Sequence, residues 1–189
     1  MVALWIILGI ILLLIIFAIG IYNSLVREKM QVKNAWSQID VQIKRRHDLI
    51  PNLVNAVKGY MKYEKETLTQ VIEARAKAVS ARDKGDLKEI GKAEGELSGI
   101  LGRLFALFER YPDLKANQNV MALQEELTNT ENKISFARQF YNDMTMKYNT
   151  SIQVFPKNII AGMFGFRPFD FFEVEKPEER EVPEVDLNV

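Results

Sequence analysis

The chain has 189 residues, with 25 basic and 25 acidic side chains, one histidine and no cysteine. A zero net charge supplies no overall field toward nucleic acid or an anionic lipid surface. Without cysteine there are no disulfides, no thiolate catalysis and no cysteine metal sites.

Ten glycines and six prolines suit long helices better than an all-β fold. Met1 to Val26 carries no charged side chain, and Val2–Ile21 is mostly Leu and Ile. At a rise of 1.5 Å per residue the run is about 30 Å long, the thickness of a bilayer's hydrocarbon core. Trp5 and Tyr22 bracket it, where interfacial aromatics belong.

A secretory signal would start with basic residues and carry a shorter apolar stretch. Ala18-Ile19-Gly20 offers a weak cleavage site, so a cleaved signal is the competing reading; the length and flanks favour an uncleaved anchor. Arg27, Lys29, Lys33, Lys44, Arg45 and Arg46 all follow the run and none precedes it. The positive-inside bias then puts the N-terminus outside and the C-terminal domain in the cytoplasm.

Four helical segments are predicted beyond the run, in about 165 residues, a length that suits one domain. The first continues from the anchor to Met61. Its apolar positions are Val32, Trp36, Ile39, Ile43, Ile50, Val54, Val57 and Met61, at spacings of three and four. Pro51 predicts a kink, with the period resuming in phase beyond it. The second runs from Glu64 to Arg82, with Leu68, Val71, Ile72 and Val79 inward, and is closed by Lys84-Gly85.

Asp86 then offers an N-cap, with Glu89 as its capping-box partner. The third helix carries Leu87, Ile90, Leu97, Leu101, Leu104 and Phe108 and stops at Tyr111-Pro112. A polar turn, Asp113 to Asn117, leads to the fourth, Asn117 to Phe155. Its seam is nearly strict: Val120, Leu123, Leu127, Thr130, Ile134, Ala137, Tyr141, Met144 and Tyr148.

Short turns between long amphipathic helices make antiparallel neighbours. The predicted fold is all-α: a transmembrane helix at 1–22 continuing as one rod into an antiparallel up-down-up-down four-helix bundle at 23–157. An aromatic segment and an irregular acidic tail occupy 158–189. The first helix leaves the membrane, so the fourth should return to it. The segment Phe164–Phe172, which holds five of the eleven phenylalanines, then lies at the bilayer surface.

Few side chains suggest chemistry. Lys44, Arg45, Arg46, His47 and Asp48 form the densest charge run, and such a run on a helix is ordinarily a solvated face. The functional alternative is a contact patch for a protein partner. Lys44 lies 22 residues past Tyr22, about 33 Å along a helix and several Debye lengths from lipid. His47, the sole histidine, cannot make a His-rich metal site, and no Glu-x-x-His pair is present.

No nucleophile triad, GxGxxG or P-loop pattern is found either. No catalytic, cofactor-binding or metal residue is therefore assigned. Tyr141-Asn142 and Tyr148-Asn149 repeat seven residues apart, which suggests either rings packed in the seam with partnered hydroxyls or a stacking box. Phe164, Phe166, Phe169, Phe171 and Phe172 would contact the membrane interface, grip a partner, or cap the bundle's open end.

The blocks Ala35-Trp36-Ser37-Gln38-Ile39-Asp40 through Asn52-Leu53-Val54, Tyr111–Asn117, and Leu123–Leu127 with Thr130–Ile134 and Ala137-Arg138-Gln139 occur in order. With the Tyr-Asn pairs, Phe155-Pro156 and Ile160-Ala161, this pattern resembles the LemA family from about Tyr22 to Phe172. The resemblance implies a bacterial membrane protein with an N-terminal anchor, a cytoplasmic helical bundle and no cofactor. It supplies no active-site residues. Related domains in magnetosome-membrane proteins favour scaffolding.

The leading expectation is thus a non-enzymatic scaffold or adaptor at the cytoplasmic membrane. It would hold the bilayer through residues 2–22 and engage a protein partner or a second copy of itself, with no nucleic acid and no small-molecule substrate identified. The alternatives are a membrane-remodelling or lipid-interface protein acting through Phe164–Phe172, and a hydrolase using carboxylates such as Asp40, Glu126 or Glu131.

Overall fold

The computed structural model describes residues 1–173; the predicted acidic tail falls beyond them, apart from Glu173. The described residues form six helices and no strand. Helix α1 runs unbroken from Val2 to Val57 and passes through Pro51. The others are α2 (Lys65–Lys84), α3 (Leu87–Phe108), α4 (Pro112–Ala116), α5 (Gln118–Ser151) and α6 (Lys157–Met163). The all-α reading holds, and so does the continuity of the apolar run with the helix that follows it.

Local chemistry explains the boundaries. Gly85 closes α2 in the left-handed conformation at φ 77°, donating its N–H to the carbonyls of Ala81 and Arg82. Asp86 then caps α3, its Oδ1 accepting from the Lys88 and Glu89 amides at 2.8 and 3.2 Å. Only this half of the expected capping box is seen, because the Glu89 carboxylate meets Lys84 at 3.2 Å. Asn117 caps α5 in the same manner, accepting from Asn119 and Val120.

Two short helices depart from expectation. Pro112 opens α4 where a polar turn was predicted; its fixed φ and missing N–H suit a first helical turn. Helix α6 forms inside the stretch read as an aromatic segment. It ends in a Schellman motif, with Gly165 at φ 68°, the Phe166 N–H bonded to the Ala161 carbonyl and the Gly165 N–H to Gly162.

The chain divides into two compact units. One comprises Met1–Asp40 and Phe136–Phe171. In it Ile21 and Leu25 of α1 pack with Ile160 and Ala161 of α6, flanked by Ala18, Ile152 and Phe166. Further along α1, Trp36 meets the ring of Tyr141 edge-on at 5.8 Å.

The other unit comprises Val41–Ser135 with, among the described residues, Phe172 and Glu173. Here α2 and α3 form an antiparallel hairpin about Gly85, laced by Lys77–Glu96 and Lys84–Glu89 ion pairs. They bury Ile43, Ile50, Leu53, Leu97, Leu101, Leu104 and Leu127 with the adjoining parts of α1 and α5. The inward stripe of α2 is Leu68, Val71, Ala74, Ala78 and Ala81, while Ile72 is exposed. Leu68 and Val71 lie inward as the spacing suggests, and Ala74, Ala78 and Ala81 take the places expected of Ile72 and Val79. Phe172 is buried in this unit. A side chain at Gly91 would run into the Glu173 carbonyl and touch the Phe172 ring at 3.6 Å, so glycine is required there.

Candidate functional site

The interior of the second unit is polar at its centre. Arg46 and His47 of α1 are buried, and so is Glu94 of α3. The Arg46 guanidinium pairs with Glu94 through Nη2 and with Glu131 of α5 through Nη1. Nη1 also donates to Ser98 Oγ at 2.7 Å, and Ser98 Oγ donates to Glu131 at 2.8 Å. His47 Nε2 donates to the second Glu94 oxygen at 2.8 Å. From α2, Arg75 Nε donates to the His47 carbonyl at 2.6 Å. Four helical segments thus meet in one hydrogen-bonded network.

Burial pushes the Glu94 carboxyl up. The His47 hydrogen bond and the Arg46 and His47 charges outweigh that, so it titrates below its ordinary value. Glu94 is therefore held ionised against Arg46, as a buried charge must be if it is to be tolerated.

The run Lys44–Asp48 is split by this arrangement. Lys44, Arg45 and Asp48 are exposed, and Arg45 pairs with Glu126. Arg46 and His47 face inward, and burial withdraws them from any partner surface. That corrects the reading of all five residues as one contact patch. The signal was present in the spacing: Arg46 and His47 lie three and four residues from both Ile43 and Ile50, on the stripe that goes inside. Glu94 likewise falls between Ile90 and Leu97, and Glu131 between Leu127 and Ile134. Reading charge as exposure hid Arg46, His47 and Glu94, while Glu131 keeps 45% of its side chain exposed.

In the first unit, the Tyr-Asn repeat clasps the chain after α6. The Tyr141 hydroxyl donates to the Asp170 carbonyl at 2.9 Å, and Tyr148 donates to the Arg167 carbonyl at 3.1 Å. Asn149 holds Phe169 at both backbone groups, donating to its carbonyl at 2.8 Å and accepting from its N–H at 3.0 Å. Burial pushes both tyrosine hydroxyls above their ordinary value, with nearby Asp170 adding to this at Tyr141 and Glu28 at Tyr148. The rings pack in the seam and the hydroxyls find partners, as the heptad spacing suggested.

The phenylalanines do not act as one cluster. Phe164 and Phe171 are exposed, Phe166 and Phe169 half-buried, and Phe172 buried. Phe164 lies tilted against Tyr22 and Phe166 meets it edge-on, at centroid distances of 4.8 and 5.8 Å, and Phe169 meets Tyr148 edge-on at 5.3 Å. Nearby, Lys157 reaches Glu28 at 2.9 Å and Ser151 at 3.3 Å. Burial raises the Glu28 carboxyl, but hydrogen bonds from Ser151, Lys157 and Ser24 with the Lys157 charge bring it below its ordinary value. Among the described residues no group of three or more histidine or carboxylate side chains is placed to hold a metal ion.

Comparison with known proteins places these features in a family. The model of the LemA family matches residues 35–187. The chain is 28% identical to protein LemA of Metamycoplasma hominis over 171 residues, covering 90% of this chain and 74% of that protein. It is 27% identical over 179 residues to magnetosome protein MamQ 2 of Paramagnetospirillum magneticum, and 26% identical over the same length to magnetosome protein MamQ of Magnetospirillum gryphiswaldense. Those two matches cover 82% of this chain but 65% of each relative, just under two thirds of their length.

Proposed function

From the premise that this chain belongs to the LemA family and is a membrane-associated helical protein, we propose that it is a non-enzymatic scaffold at the cytoplasmic membrane. Its N-terminus lies outside and the helical part beyond the apolar run lies in the cytoplasm, as the basic residues following that run favour. The exposed Lys44, Arg45 and Asp48 on α1 form the contact for a protein partner or a second copy.

The observation that carries the reading is the start of α1. It is long and apolar enough to cross a membrane, and among the described residues nothing buries its apolar window. The exposed large apolar side chains from Val2 to Ile19 would be an aggregation hazard in water; in a bilayer they are satisfied. The non-enzymatic part is supported by the engagement of the acids around Arg45 and Arg46. Glu94 and Glu131 are tied to Arg46, and Glu126 to Arg45. Of the carboxylates a hydrolase would draw on, Glu126 and Glu131 are thus ion-pair partners. The relatives named as magnetosome proteins support work at a membrane.

The test is photo-crosslinking of the full-length chain in native membranes, with the crosslinker at Lys44, Arg45 or Asp48 and residue-resolved mass spectrometry of the products. A reproducible partner, or a second copy joined at these positions, is the expected result. A chain that remains uncrosslinked at all three positions would overturn the scaffold assignment.

A further inference from the structure

Helix α6 is short, and its two sides differ sharply. Ile160 and Ala161 are buried against α1 at Ala18, Ile21 and Leu25. Ile159 and Met163, on the other side, are 53% and 73% exposed. The flanking Val154, Phe155 and Phe164 are exposed as well. An apolar set of this size in water is unusual unless something covers it.

Its position names the cover. The apolar run ends at Ile21, and α6 packs at that end, in one cluster with Ile21 and Leu25 and with Ala18 at its edge. Amphipathic helices that lie in a membrane interface sink their apolar face about 5–10 Å into the boundary between headgroups and acyl chains. The polar groups of the same unit mark the other side of that boundary. Lys157, at the start of α6, is drawn to Glu28 and Ser24 beyond the run. The Lys29 ammonium sits over the Phe166 ring at 5.7 Å, and Arg167 is exposed just after it. Cations with aromatic rings at one level are what a headgroup layer selects.

We propose that α6 is an interfacial helix, seated in the same bilayer leaflet that the apolar run leaves, with Ile159, Met163, Phe155 and Phe164 against acyl chains. The occupant is lipid because the apolar face continues that of the membrane-spanning run at the same depth. The proposal rests on the membrane-anchor reading. It revises the lipid contact expected of Phe164–Phe172: only Phe164 of that set belongs to the face, and two aliphatic residues of α6 join it.

The absence of native cysteine gives a clean experiment. Single variants Ile159→Cys and Met163→Cys of the full-length chain, reconstituted in vesicles of phosphatidylethanolamine and phosphatidylglycerol, carry a nitroxide label. Its collision with oxygen, which partitions into lipid, is compared with its collision with a water-soluble nickel chelate. Leu12→Cys serves as the in-span reference and Asp143→Cys as the exposed aqueous reference.

Labels at 159 and 163 are expected to fall between the two references, with oxygen collisions well above those at 143. Values equal to Asp143→Cys, with Leu12→Cys in lipid, overturn the proposal and leave the anchor intact. Labels at 159 and 163 shielded from both reagents mean that protein covers α6, and overturn it too. A Leu12→Cys label in water removes the anchor reading and the proposal with it.

Discussion

Arg46 and Glu94 form an ion pair across α1 and α3 with both side chains withdrawn from solvent, at 1% and 2% exposure. Two charges in that setting are tolerated only as a pair. The network around them follows: His47 takes the second Glu94 oxygen, while Ser98 and Glu131 meet Arg46 Nη1. Such a core adds little net stability over a hydrophobic one but penalises any helix register that separates its members.

That asymmetry is measurable. Glu94→Ala leaves the guanidinium buried with one carboxylate fewer, and should destabilise the chain by about 3–5 kcal/mol. The double variant Glu94→Leu with Arg46→Met removes both charges and should be less destabilised than Glu94→Ala. Urea unfolding of the detergent-solubilised full chain, followed by helical circular dichroism, tests this. Equal losses in the two variants would mean that packing, not charge, governs the site.

The same carboxylate predicts the direction of acid sensitivity. The folded-state pKa of Glu94 lies below its unfolded value. In mild acid the unfolded chain therefore binds the proton first, and stability falls as pH falls. The contribution is complete above the ordinary carboxylate range and is lost as pH drops through the lowered folded value. Glu94→Gln should flatten this part of the stability–pH curve. An unchanged acid slope in that variant would assign the acid sensitivity to other carboxylates, Glu28 among them.

Asn149 makes a local prediction. It satisfies both backbone groups of Phe169. Asn149→Ala frees them at a cost of about 1–3 kcal/mol. Amide exchange read by mass spectrometry should accelerate at residues 166–171 while α5 stays protected. Unchanged exchange there would show that the Tyr141 and Tyr148 hydroxyls and the Phe169–Tyr148 ring contact hold the segment without Asn149.

Two glycines of α3 should respond in opposite directions. Gly91→Ala drives a methyl into the Glu173 carbonyl and the Phe172 ring, and overpacking of this kind costs about 1–3 kcal/mol. At Gly99 a Cβ meets nothing within 4 Å, so Gly99→Ala should stabilise the helix by about 0.5–1 kcal/mol. Thermal melts of both variants beside the parent chain give the signs. A stable Gly91→Ala variant would mean that the chain at Phe172 is not docked on α3.

By itself the sequence determined what depends on near neighbours. The apolar run, the helix-closing Gly85, the Asp86 cap and the stripes of α1, α3 and α5 all follow from side chains a few residues apart, because capping and the 3.6-residue period act over that range. Tertiary structure decided which charges go inside. Arg46 and His47 occupy stripe positions, yet they can be buried only where Glu94, Ser98 and Glu131 arrive from helices 47 to 85 residues away to accept them. Lys44, Arg45 and Asp48, off that stripe, stay outside. The phenylalanines divide for a related reason: Asn149, Tyr148 and Tyr141 grip the backbone between them, and Gly91 leaves room for the chain at Phe172. Desolvation makes these outcomes non-local, since a buried polar group is stable only opposite a partner that the fold must bring to it.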